Sequence, residues 1–144
     1  MENKFKSLEK KIGIKFKDLK TLQMVFIHKS YMNETKEEGV ENNERLEFLG
    51  DAVLELVVTE FLYKNYPNPE GELTNWRSAL VNGSHLATIA KKLDLGEYLT
   101  LGHGEERSGG RSKNYILANT FEALIGAIYL EHGYEIAHTF VDKF

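Results

Sequence analysis

Along almost the whole chain, apolar residues recur at intervals of three and four, the spacing that gathers side chains on one face of an α-helix. Only two prolines interrupt the 144 residues, Pro67 and Pro69, and both fall in one turn-like stretch over 66–71. The pattern predicts helices over 5–12, 18 to about 28, 43–65, 72–93 with a break near Gly83, 115–131, and from 134 onward. Asp18 is placed to cap the second of these. Their apolar faces use Leu46, Leu49, Val53, Leu56, Val57 and Phe61 in the long third helix. Leu73, Trp76, Leu80, Leu86 and Ile89 serve the next, with Trp76 expected in the core. The Gly-rich stretch 101–114 and the charged stretch 35–42 read as loops. The expected fold class is all-α, as one domain over 1–144.

Composition narrows the chemistry. With no cysteine there is no disulfide framework, thiolate metal site or cysteine nucleophile. No apolar run is long enough for a membrane span, and the opening residues from Met1 are too charged for a leader, so a cytoplasmic domain is expected. Eighteen Lys and Arg against 22 Asp and Glu leave a formal charge of -4. A domain gripping nucleic acid by charge alone would be basic, so a polyanionic substrate would need local help from cations or a partner domain.

The acids are not scattered. Glu44, Glu47, Asp51 and Glu55 follow at spacings of three, four and four, forming one stripe on one helix face. A solvated face is the ordinary reading of such a stripe, but here like charges stack beside a mid-helix glycine, Gly50, which lets another backbone approach. The helix over 115–131 offers that backbone, carrying Ala118, Ala123, Gly126 and Ala127 together with Asn119 and Glu122. Packed together, Glu47, Asp51, Asn119 and Glu122 would form an oxygen-only cluster suited to a hard cation, Mg²⁺ or Mn²⁺. A di-iron bundle would need two Glu-x-x-His motifs, and only Glu135 to His138 fits. The five histidines show no paired spacing and read as structural or surface, His28 least clearly. The glycine-rich stretch lacks the Gly-Lys-Ser/Thr ending of a nucleotide-binding loop, so no nucleotide cofactor is expected.

The run Glu44-Arg45-Leu46-Glu47-Phe48-Leu49-Gly50-Asp51-Ala52 resembles the signature of the ribonuclease III family. The likeness extends in order through 28–31, 70–74, 108–111 and 117–130, and so covers essentially the whole chain. It ends where the family's double-stranded-RNA-binding domain usually begins, so the chain is expected to be the catalytic domain alone. The resemblance implies an all-helical, homodimeric endonuclease domain. It would cut both strands of duplex RNA with Mg²⁺, leaving 5′-phosphate and 3′-hydroxyl ends in rRNA and mRNA processing.

By the same resemblance, Glu47, Asp51 and Glu122 hold the catalytic metal, and Glu44 and Glu70 are further acids of the catalytic valley. Phe48 plugs into the partner subunit, whereas its position alone would suggest core. Asn119 departs from the family's usual Asp. It replaces a carboxylate by a neutral oxygen and should raise the Mg²⁺ requirement; a catalytically weakened relative binding duplex RNA or ribosomes is the alternative. Arg107, Arg111 and Lys113 are expected either to contact RNA phosphates or to belong to a mobile solvated loop.

Overall fold

A computed structural model describes residues 2–144; Met1, where the polar opening run begins, lies outside them. Eight α-helices follow in order. They are α1 (Glu2–Ile12), α2 (Leu19–Val25), α3 (Glu44–Asn65), α4 (Glu70–Leu80), α5 (Gly83–Lys92), α6 (His103–Arg107), α7 (Asn114–His132) and α8 (Tyr134–Asp142). Short 3₁₀ turns occupy Lys29–Asn33, Leu95–Tyr98 and Gly110–Ser112. Among the described residues the only β-type pairing is an isolated parallel bridge between Ile27 and Thr100. The all-α expectation holds.

Local chemistry sets the boundaries. The Asp18 carboxylate accepts the Lys20 and Thr21 backbone N–H groups at 3.0 and 3.3 Å, fixing the start of α2. Such a cap stabilises by about 1 kcal/mol. The expected break near Gly83 falls at Val81–Asn82, where the Asn82 side chain accepts the His85 N–H at 2.9 Å and starts α5 afresh.

Helix α7 is the centre of the fold, buried almost all round from Ile116 to Ile128. Its residues there are accordingly apolar on nearly every side, with Asn119, Thr120 and Glu122 the exceptions. It crosses α3 in backbone contact. A Cβ on Gly50 would overlap the Glu122 carbonyl and stand 2.9 Å from the Gly126 nitrogen. A Cβ on Gly126 would overlap the Leu46 carbonyl and stand 3.2 Å from the Gly50 nitrogen. Gly50 and Gly126 thus set how closely the two long helices approach. Around them α2, α5 and α8 close the core, while Phe5 of α1 stacks on Phe26 and Tyr98 at 5.6 and 6.0 Å.

The structure corrects two sequence expectations here. Trp76 and Leu80 are not core: they are 39% and 40% exposed, and α4 buries none of its residues. Helix α4 leans only on the C-terminal half of α3, through Arg77 donating to Thr59 Oγ1 at 3.1 Å and Trp76 edge-on to Tyr66 at 5.1 Å. The side of α4 away from α3 is exposed. The stretch 101–114 is not an open loop either, since it folds into α6 and a 3₁₀ turn.

Candidate active site

Where α3 and α7 touch, a carboxylate is trapped. Glu122 projects from α7 toward α3 and is only 9% exposed. Its carboxyl hydrogen-bonds Asp51, on the solvent side of α3, and its pKa is pushed up to about 9. Burial is the main cause, followed by that hydrogen bond and by the negative charges of Asp51, Glu47 and Glu55. Glu47 is half-buried and also shifted upward, by burial first and then by Glu44 and Asp51; the nearby Lys29 ammonium partly opposes this. Without a cation, then, the cluster relieves its own repulsion by keeping a proton on Glu122.

Asn119 sits half-buried one turn before Glu122, on the same side of α7. Glu44, in the first turn of α3, is exposed at the rim, where it acts on Glu47 by charge alone. Glu55, part of the acidic stripe but not among the expected ligands, also bears on Glu122. Glu70 is not brought in. It opens α4 beside Tyr63 and Tyr66, about 18 Å farther along α3 than Asp51 at 1.5 Å per residue.

Among the described residues, no three acidic or histidine side chains already surround a point that an ion would fill. The donor set nevertheless fits a hard divalent cation. Glu47, Asp51 and Glu122 offer carboxylate oxygens, Asn119 offers a carbonyl oxygen, and the proton on Glu122 marks where positive charge is wanted.

Two of the basic residues expected to contact phosphate are committed to the fold. Arg111 donates to the Gly96 and Leu99 carbonyls, at 2.8 Å each, and pairs with Glu106 through its remaining nitrogens. Lys113 pairs with Glu105 at 2.6 Å. Arg111 and Lys113 therefore brace the 96–113 segment, and of the three expected phosphate contacts only Arg107 forms no such bond among the described residues. Phe48 is not core: it is 82% exposed and lies against a hollow lined by Met24, Arg45, Leu49 and Leu130.

His28, 8% exposed, is a structural residue. Its Nδ1 accepts the Ser30 N–H at 3.1 Å and lies 2.8 Å from Ser30 Oγ, which in turn accepts the Gly102 N–H at 2.9 Å. The Ser30 hydroxyl therefore donates to Nδ1, placing the neutral ring's proton on Nε2. Burial lowers the His28 pKa and keeps the ring neutral.

Fold and site together define an all-helical domain organised around an acidic, oxygen-only cluster at a glycine-mediated helix crossing. The chain is similar to known proteins over nearly its whole length. The family model described as Ribonuclease-III-like matches residues 18–144. Curated proteins named Ribonuclease 3 are 52% identical over 142 residues in Desulfotalea psychrophila and 47% identical over 141 residues in Bacillus licheniformis. These alignments cover 98% and 97% of this chain but only 58% and 57% of the relatives, so the chain spans under two thirds of their length.

A solved nuclease domain of ribonuclease III from Campylobacter jejuni superposes with a TM-score of 0.89 at 44% identity, covering 96% of this chain and 94% of that one. Its description concerns structural flexibility in the region involved in dimer formation. A Dicer structure from Pichia stipitis matches at TM-score 0.64 and 29% identity, over 90% of this chain and 55% of that one. The chain belongs to the ribonuclease III family.

Proposed function

We propose that this domain is a Mg²⁺-dependent endonuclease that hydrolyses both strands of duplex RNA, leaving 5′-phosphate and 3′-hydroxyl ends, in the processing of rRNA and mRNA. Mn²⁺ would substitute for Mg²⁺. The observation that carries this reading is Glu122, a carboxyl group buried against Asp51 and beside Glu47 at the α3–α7 crossing.

Glu47, Asp51 and Glu122 would hold the ion, with the Asn119 carbonyl oxygen as a weaker fourth donor. A divalent cation there would acidify an attacking water and offset charge on the scissile phosphate. The chain's own contribution is positional. Gly50 and Gly126 fix the distance between the helices, and burial keeps the Glu122 carboxyl from turning out to water. That carboxyl must give up its proton for the cluster to act, so activity should rise with pH.

The functional unit in this reading is a homodimer. Phe48, Ala52, Leu56 and Tyr63 run as an exposed stripe along α3, next to the acids. Phe48 stands beside an apolar hollow, the self-complementary pairing of knob and socket that a two-fold interface needs. The acidic cluster repels RNA, so affinity of the domain alone should be weak and strongly dependent on salt and divalent ions.

Asn119 favours one second reading, a catalytically weakened relative that binds duplex RNA without cutting it. A labelled RNA duplex titrated with Mg²⁺ or Mn²⁺, beside Glu122→Gln, separates the two. Metal-dependent cutting lost in the variant supports the endonuclease; binding without cutting at any metal concentration supports the weakened relative.

A further inference from the structure

The 25–30 segment is held against the first turn of α3 by bonds that have no bearing on the acidic cluster itself. The Asn43 N–H donates to the Ile27 carbonyl at 2.9 Å, and the Asn43 side-chain amide donates to the Val25 carbonyl at 2.9 Å. On the other side the His28 N–H donates to Thr100 and the Thr100 N–H to Phe26, at 3.1 and 2.8 Å. The buried His28 ring and Ser30 close the mount from within.

Lys29 stands on this rigid base, exposed, at the Glu44 and Glu47 end of the acidic stripe. Its charge reaches both Glu47 and His28. Yet among the described residues Lys29 forms no ion pair, whereas Lys113, which also acts on His28, is tied to Glu105. A solvated ammonium on a fixed backbone, at the edge of a site that repels polyanions, is suited to hold a phosphate oxygen and little else on this surface.

We propose that Lys29 is a substrate-positioning residue whose ammonium binds a backbone phosphate of duplex RNA at the Glu47 edge of the acidic cluster. The inference rests on the nuclease reading above for the identity of the polyanion. It assigns to Lys29 the local positive charge that an acidic domain must supply.

The test compares Lys29→Gln and Lys29→Arg in the Glu122→Gln background, measuring affinity for a short labelled RNA duplex across a salt series. Removing one phosphate contact should lower the slope of log affinity against log salt by about one. Affinity near physiological salt should fall about 3- to 10-fold. Lys29→Arg should keep both values, and the melting temperature should not move in either variant. An unchanged slope in Lys29→Gln overturns the proposal. So does an equal loss in Lys29→Arg accompanied by lower melting, which would make Lys29 a structural residue. If the chain with Glu122 intact fails to cut duplex RNA with either metal while the slope still falls, the nuclease reading is lost and the Lys29 contact stands.

Discussion

Replacing Glu122 by Gln removes a carboxyl the fold holds protonated and, in the same step, a donor the proposed cation needs. The folded protein keeps a proton on Glu122 up to about pH 9, whereas an unfolded chain releases it near 4.5. Between those values the native state holds the extra proton. Stability therefore falls as pH rises, by at most about 1.4 kcal/mol per pH unit, and the whole contribution is lost above the folded value. Gln has no proton to release.

Urea denaturation in chelator should show the parent losing about 1–3 kcal/mol relative to Glu122→Gln between about pH 5.5 and 7.5. Adding Mg²⁺ should offset much of that loss: at about 100 times its Kd the ion stabilises the parent by about 2.7 kcal/mol and the variant hardly at all. Cutting of duplex RNA should fall about 100-fold or more, the several kcal/mol expected when a Lewis-acid site is lost. Parallel pH profiles for parent and variant, or a variant that still cuts with Mg²⁺, would refute the reasoning.

Three further substitutions probe other parts of the account. Gly50→Ala drives a methyl into the Glu122 carbonyl and should cost about 3 kcal/mol by chemical denaturation; a change within about 0.5 kcal/mol would mean the helices can part. Phe48→Glu, at an 82% exposed position, should change monomer stability by less than about 0.5 kcal/mol while abolishing dimers in sedimentation equilibrium. Asn119→Asp adds a charged donor and should lower the Mg²⁺ concentration for half-maximal cutting by about 3- to 10-fold; an unchanged requirement would place Asn119 outside the metal site.

What the sequence disclosed about the site was whatever lies within one helix or between two compositionally marked helices. The acids of α3 share a face because their spacing is helical, and Gly50 with Gly126, Ala118, Ala123 and Ala127 announced a close crossing. Capping by Asp18 was legible for the same local reason.

What stayed illegible concerns what packs against what. The apolar spacing of α4 predicted a buried Trp76 and Leu80, but spacing cannot reveal how little of that face the described elements cover. The bonds of Arg111 to Gly96 and Leu99 could not be read, because they arise only once the 96–113 segment has folded. Lys29 escaped notice because its position depends on non-local bonds from Asn43 and Thr100. The distance of Glu70 from Asp51 within one chain was likewise hidden, because it depends on where the turn after α3 sets the start of α4.

The central claim is that one divalent cation sits between α3 and α7. Anomalous X-ray diffraction from a crystal grown with Mn²⁺ tests it most directly. The account predicts a manganese peak bounded by Glu47, Asp51 and Glu122, absent from Glu122→Gln crystals. Fully cleavage-competent protein with no manganese at that position would contradict it.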